Sequence, residues 1–289
     1  MFKEQPFDAG VVTLNYAEGP AAGPPLVLLH GGSARWQAWE TIIPDLDGQW
    51  HLYALDLRGH GRSGWVPMRY RLQDYADDLI TFLERRVAEP AILFGHSLGG
   101  IVALMIAAQR PDRVRAVVVG DSPLTGETWG ALLIRDRATL VRWRDLAGGA
   151  HSVDEIAEAL KDTPIRVPGR AAPLPMREAF GADSPVFAWL APNLYQQDPD
   201  MLTVLLDDFE RAVAGYEMEM LFQTIRCPTL LLQADPAAGG LMTDAEVARA
   251  LPLLAQPTHV RLAGLSHVLH NERKEPVMRA LRPFLLTVG

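Results

Sequence analysis

Residues 91–108 read AILFGHSLGGIVALMIAA, an apolar run followed by a glycine-flanked serine and a run of small apolar residues. The first four residues predict a buried strand, and residues 100–108 predict a helix. Between them, residues 95–99 have the pattern G-x-S-x-G, which is typical of a sharp turn that presents a serine between a strand and a helix. Glycine leaves room for such a turn, and the helix amino terminus then faces the reacting atom. We therefore predict that Ser97 is a catalytic nucleophile.

Strand and helix patterns alternate on both sides of this turn. Short apolar runs that predict buried strands occur at residues 26–29, 51–57, 91–94, 114–119, 229–233 and 259–262. From residue 72 to 86, apolar side chains recur with the spacing of an amphipathic helix. The alternation predicts an α/β fold with a mainly parallel sheet that is covered on both faces.

The alternation stops after Pro123 and resumes about a hundred residues later. The intervening residues contain helical signals and proline-rich joints but no convincing strand, and residues 163–175 are interpreted as an irregular connection. We predict one discontinuous core, residues 1–123 and 223–289, interrupted by a helical cap at 124–222.

The composition narrows the function classes. The chain has 289 residues, of which 48% are hydrophobic and 21% charged, as is typical of a globular protein. A formal net charge of −8 disfavours nucleic acid as a partner. The single cysteine, Cys227, excludes an internal disulfide and a cysteine-based zinc site. Residues 1–8 lack the apolar stretch of a secretory signal, so we expect a cytoplasmic protein. The uncharged stretch 90–109 is interpreted as strand, turn and helix, and we expect no membrane span.

Four motifs of the chain resemble those of capped α/β-hydrolases of the serine esterase type, namely His30-Gly31-Gly32, Asp56–Ser63, Gly95–Gly100 and Ser266-His267. The resemblance covers the whole chain, although the region after Asp121 matches only in outline. It implies an eight-stranded, mostly parallel sheet, a helical cap inserted after the strand that ends near Asp121, and hydrolysis of an ester or related bond.

A serine nucleophile needs a histidine base, which in this fold follows the serine and the acid along the chain. His267 follows the last predicted strand and precedes the last predicted helix, so we assign it as the base. His270 is interpreted as a neighbouring pocket or helix-capping residue. A metal site built on these two histidines lacks a third ligand signal, and we expect no metal or cofactor.

Two carboxylates compete for the role of orienting acid. Families of this kind usually supply it from the loop after the strand 229–233, but here that loop reads ADPAAGG, and Asp235 stands earlier than the customary position. Asp121 resembles the position from which one branch of the haloalkane dehalogenases supplies its carboxylate. Either group need only orient the imidazole and stabilise its charged form. We favour Asp121 and keep Asp235 as the alternative.

Two backbone N–H groups should stabilise the tetrahedral intermediate, one after the nucleophile and one in the loop after an early strand. These are the N–H groups of Leu98 and Gly32. The residues expected to line the substrate pocket are Gly31, Trp36, His96 and Trp129.

The predicted cap is rich in aromatic and methionine side chains, which favour an apolar substrate of modest size. We expect a small-molecule carboxylic ester, cleaved through an acyl-enzyme on Ser97. The alternatives are a lactone or carbon-carbon bond hydrolase, and a ligand-binding receptor on the same fold that does not catalyse.

Overall fold

The structure is a computed structural model and describes residues 2–289. Its strands are β1 (Lys3–Asp8), β2 (Thr13–Glu18), β3 (Pro25–Leu29), β4 (His51–Leu55), β5 (Ala91–His96), β6 (Val114–Gly120), β7 (Pro164–Ile165), β8 (Leu174–Pro175), β9 (Pro228–Ala234) and β10 (Gln256–Leu262). Eight of them form one sheet in the order β1-β2-β4-β3-β5-β6-β9-β10. Only β1 with β2 and β2 with β4 pair antiparallel within this sheet. The prediction of an eight-stranded, mostly parallel sheet is therefore confirmed.

The helices are α1 (Ile43–Leu46), α2 (Leu72–Arg85), α3 (Leu98–Gln109), α4 (Gly126–Arg135), α5 (Arg137–Leu146), α6 (Val153–Lys161), α7 (Met176–Phe180), α8 (Pro185–Tyr195), α9 (Pro199–Asp207), α10 (Phe209–Ala212), α11 (Met218–Thr224), α12 (Asp244–Ala250) and α13 (Lys274–Val288). Short 3-10 turns lie at Trp36–Trp39, Pro236–Ala238 and Leu269–Asn271.

Side-chain alternation along the strands divides the core between the two faces of the sheet. In β3, Val27 and Leu29 belong to a cluster shared with α2 and α3, whereas Leu26 and Leu28 belong to a cluster shared with α13. All five residues of this strand are buried. A strand covered on both faces reads as a continuous apolar run, which is why the central strands are visible in the sequence.

Two hairpins escape the sequence prediction. The strands β1 and β2 have no regular alternation of exposed and buried positions, and polar side chains interrupt their apolar residues. No continuous apolar run therefore marks these strands in the sequence. The strands β7 and β8 are two residues long and carry Pro164 and Pro175, and they lie where an irregular connection was expected. The expectation that the insert contains no strand is corrected by this short pair.

The segment between β6 and β9 has a hydrophobic cluster of its own, formed by Leu146, Ile156, Leu160, Met176, Phe187, Leu190, Ala191 and Leu194. Arg35, in the loop after β3, donates to Asn193 Oδ1 at 2.7 Å and to Gln196 Oε1 at 2.8 Å, which ties α8 to the sheet. The predicted boundary at residue 222 falls inside α11, which packs against α3. The division into core and cap stays a prediction.

Candidate active site

Ser97 lies at the turn between β5 and α3 with φ 51° and ψ −118°. Residues other than glycine rarely adopt this backbone conformation, and the neighbouring glycines leave room for it here. A Cβ atom on Gly95 would collide with the Gly99 carbonyl, and one on Gly99 would collide with the Leu29 carbonyl. The Ser97 N–H donates to the Gly120 carbonyl at 2.9 Å, which fixes the turn against β6.

Asp121 follows the last residue of β6 and is fully buried. Its Oδ1 atom accepts hydrogen bonds from the N–H groups of Ala234 at 3.0 Å and Met242 at 3.2 Å. Its Oδ2 atom accepts from the N–H of Leu241 at 2.8 Å. Three backbone donors thus surround a carboxylate that has no access to water, so its orientation is fixed.

His267 completes this arrangement, with its Nδ1 atom 2.8 Å from Asp121 Oδ2. A carboxylate can only accept, so Nδ1 carries the proton and Nε2 is left as a free acceptor. Ser97 and His267 line the same cavity. The structure therefore brings three of the predicted site residues, Ser97, His267 and Asp121, to one place.

Asp235 makes other contacts. Its carboxylate accepts from the Gly264 N–H at 2.9 Å and the Ala237 N–H at 3.1 Å, and it pairs with Arg261 at 3.1 Å. The Gly264 N–H and then Arg261 hold the pKa of Asp235 below its ordinary value. Asp235 thus stabilises the loop that follows β9 and binds Arg261 of the neighbouring strand β10.

The two predicted oxyanion donors face the same cavity, which Gly32 and Leu98 both line. Leu98 is the first residue of α3, so its N–H has no acceptor within the helix. Gly31 lies against the serine, because a Cβ on it would lie 3.1 Å from Ser97 Cβ. The absence of that methyl group leaves room for a reacting carbonyl.

Asp56 and His30 hold the loop that carries Gly32, and sequence reasoning did not single them out for this role. The buried Asp56 carboxylate accepts from the Trp36 N–H at 2.7 Å. His30 Nδ1 donates to the Gly31 carbonyl at 2.7 Å, while its Nε2 accepts from the Leu57 N–H at 3.0 Å. Burial lowers the pKa of His30 to about 4, which favours this neutral, bridging form.

The cavity beside Ser97 has a volume of about 300 Å³. Most of its walls are apolar, and the side chains that contribute from the segment between β6 and β9 include Trp129, Leu132, Leu133, Leu140, Trp143, Trp189, Leu190, Met201, Leu202 and Leu205. Asp136 is its only carboxylate, and within residues 2–289 no lysine or arginine lines it. The cavity is thus built for uncharged, apolar groups.

Of the predicted pocket residues, Gly31, His96 and Trp129 line this cavity, but Trp36 does not. Trp36 belongs to the core cluster under the 3-10 turn, on the same sheet face as α13. The expectation that Trp36 walls the pocket was wrong, because a tryptophan next to a glycine loop can equally turn inward and pack. Tyr70 and Tyr75 line the cavity instead, and of these two only Tyr75 belongs to the apolar pattern that predicted the helix at residues 72–86.

Two further histidines surround the base. His96 Nε2 donates to the His267 carbonyl at 2.8 Å, so it supports the loop that carries His267. His270 stacks on Trp39 with ring centroids 4.6 Å apart and donates from Nε2 to the Ala38 carbonyl at 3.0 Å. Burial lowers the pKa of His96 well below its ordinary value and that of His270 to about 4.

Because these histidines are buried in neutral form, we expect the stability of the fold to decrease in acid. The unfolded chain binds a proton at His270 below pH 6.5, whereas the folded chain does so only below about 4, so stability is lost as the pH falls through this window. We expect His270 to remove roughly 2 kcal/mol from the free energy of unfolding between pH 7 and 4.5. Urea unfolding at both pH values should show a smaller pH dependence in His270→Gln than in the wild type. The exposed His151 supplies the control, because His151→Gln should leave the pH dependence unchanged.

Across residues 2–289, no three His, Cys, Asp or Glu side chains come together as a group able to hold a metal ion. Over the same residues, every helix is too short or too polar to cross a bilayer.

The sequence profile of the alpha/beta hydrolase fold matches residues 24–235. The chain belongs to this family. As in other members of the alpha/beta hydrolase fold family, the serine turn between β5 and α3 lies in the central, parallel part of the sheet.

Curated proteins similar to this chain include hydrolases of several bond types. The 2-(acetamidomethylene)succinate hydrolase of Mesorhizobium japonicum is 37% identical over 114 residues, which are 39% of this chain and 41% of that protein. The putative carbamate hydrolase RutD of Klebsiella variicola is 31% identical over 252 residues, 83% of each chain. The alignment thus spans less than half of the succinate hydrolase but most of the carbamate hydrolase.

Among solved structures, that of E-2-(acetamidomethylene)succinate hydrolase superposes with a TM-score of 0.69. The superposition covers 99% of both chains at 22% identity, and this similarity shows the fold alone.

Proposed function

We propose that this alpha/beta hydrolase is a serine carboxylesterase that cleaves small to medium, apolar, uncharged esters through an acyl-enzyme on Ser97. The observation that carries the proposal is the mostly apolar cavity that Ser97 and His267 both line, together with the hydrogen bond between His267 and the buried Asp121.

In the proposed reaction, Ser97 Oγ attacks the ester carbonyl carbon while His267 Nε2 takes the hydroxyl proton. The carbonyl oxygen becomes an oxyanion, to which the N–H groups of Gly32 and Leu98 donate. The imidazolium of His267, stabilised by Asp121, then protonates the departing alcohol. In the second half, His267 activates a water molecule that attacks the acyl carbon and releases the carboxylic acid and Ser97.

The charge of the cavity distinguishes the proposed substrate from that of the succinate hydrolase relative, whose name denotes a dicarboxylate. A substrate carboxylate in this cavity would meet Asp136 and no lysine or arginine from residues 2–289. Burying an unpaired charge costs several kcal/mol, so anionic substrates should bind poorly. The volume of about 300 Å³ lies at the lower end of the range of about 300–1,000 Å³ that is usual for small-molecule pockets, which suits a compact substrate.

We expect p-nitrophenyl butyrate to be hydrolysed with an initial burst of p-nitrophenol, as an accumulating acyl-enzyme requires. The p-nitrophenyl monoester of succinic acid has the same leaving group but ends its acyl chain in a carboxylate. Its kcat/KM should be lower by at least about tenfold, because a penalty of 1.4 kcal/mol already has that effect. Steady-state and stopped-flow absorbance measure both quantities.

The same substrate panel separates the alternatives. A simple lactone tests the cyclic-ester reading, and its preference over open-chain esters would favour a lactonase. Saturable binding of the esters without release of p-nitrophenol would favour the receptor. Equal or faster hydrolysis of the succinate monoester would contradict the proposed substrate charge, although ester hydrolysis itself would stand.

A further inference from the structure

A second cavity, of about 720 Å³, shares lining residues with the catalytic one and lies between α4 and the segment from α9 to α11. Its apolar inner surface is formed by Leu133, Leu205, Leu206, Phe209 and Val213. The ester reaction proposed above assigns no role to this second space.

Leu133 of α4 and Leu205 of α9 line both cavities. These two leucines therefore lie between the two spaces. Beside them, Trp129 lines the catalytic cavity and Phe209 the second cavity, and their rings meet edge to face at a centroid distance of 5.8 Å. We call Leu133 and Leu205 the leucine partition.

The second cavity is also lined by charged residues. Glu127, Arg137, Glu210 and Glu217 line it with exposed side chains. A hydrocarbon chain that passed the leucine partition could therefore pack against the apolar residues of the second cavity, away from its charged residues.

We propose that the leucine partition sets the longest apolar chain that the substrate can carry, and that the second cavity is the space it closes off. This inference rests on the proposed esterase function. Each methylene that enters the second cavity leaves water, which should raise kcat/KM by up to about fourfold per carbon in a variant with the partition opened.

The test uses Leu205→Ala as its main variant and Leu133→Ala as its second. Leu205 is only half-buried, so its truncation should leave the fold intact, and thermal unfolding checks each variant. Leu132→Ala and Leu206→Ala are the matched controls. Leu132 lines only the catalytic cavity and Leu206 only the second cavity, so neither truncation removes a side chain that separates the two.

Two ester series locate the chain that approaches the partition: p-nitrophenyl esters of increasing acyl length, and acetates of increasing alcohol length. In at least one series, we expect the optimum to lengthen by about two carbons or more in the partition variants. The control variants should keep the wild-type optimum.

An unchanged optimum in both series, in folded and active variants, would overturn the inference while leaving the esterase intact. An equal shift in Leu132→Ala would also overturn it, because widening alone would then explain the change. If the wild-type protein hydrolyses no ester of either series, the proposed function itself fails.

Discussion

Replacement of Ser97 by alanine should lower kcat for ester hydrolysis by on the order of 10⁶-fold, the loss measured when a hydrolase of this mechanism loses its serine. The reason is specific to the turn between β5 and α3. Ser97 has the unusual φ of 51°, and a side chain on Gly95 or Gly99 would collide with the backbone, so the turn presents the hydroxyl of Ser97. Residual activity would come from the oxyanion donors and from substrate binding.

Covalent labelling and a control variant test whether Ser97 is the nucleophile. A fluorophosphonate should label the wild-type protein once, and intact-mass spectrometry should find Ser97→Ala unlabelled. Ser152→Ala is the control, because Ser152 is an exposed serine that caps α6 far along the chain from the site. It should keep wild-type kcat. Retention of more than about 1% of kcat in a folded Ser97→Ala protein would exclude Ser97 as the nucleophile.

The serine turn and the central sheet could be predicted because their causes are local. A buried parallel strand must be apolar on both faces, and the close approach of Gly95 to Gly99 tolerates no side chain. Capping also acts locally: the side chains of Ser152 and Thr243 both accept from the N–H three residues on. Each pattern therefore appears in a few consecutive letters of the sequence.

The features that depend on distant contacts could not be predicted. Nothing near Trp36 determines whether its ring turns to the cavity or to the core. Tyr75 lies on α2 with the spacing of a core residue, yet it also lines the catalytic cavity. The leucine partition exists because α4 and α9, about seventy residues apart, meet there. No periodicity within either helix distinguishes such a wall from ordinary packing.

The choice between Asp121 and Asp235 was open for the same reason, since it depends on how the loop after β9 folds. This loop folds back so that the N–H groups of Leu241 and Met242 donate to the Asp121 carboxylate. Asp235 itself turns toward Arg261. A sequence shows both carboxylates at strand ends, but the loop conformation determines which one His267 meets.

Replacement of Asp121 by asparagine should therefore lower kcat by on the order of 10⁴-fold. Both carboxylate oxygens accept from N–H groups, Oδ1 from Ala234 and Met242 and Oδ2 from Leu241 and His267. In either orientation of the asparagine side chain, its NH2 group, which can only donate, faces N–H groups that also donate. When it faces His267, Nδ1 has to accept, the proton moves to Nε2, and the imidazole can no longer take the proton of Ser97.

Asp235→Asn is the matched comparison, since it makes the same chemical change at the other strand end. Its carboxylate lies outside the His267 contact, so kcat should fall less than about tenfold, an effect of loop contacts alone. Thermal unfolding of both variants separates activity loss from unfolding, because Asp121→Asn also weakens three buried hydrogen bonds. A larger kcat loss in Asp235→Asn than in Asp121→Asn would transfer the role of acid to Asp235. It would require the loop between β9 and α12 to rearrange when substrate binds, since only such a movement could bring that carboxylate to His267.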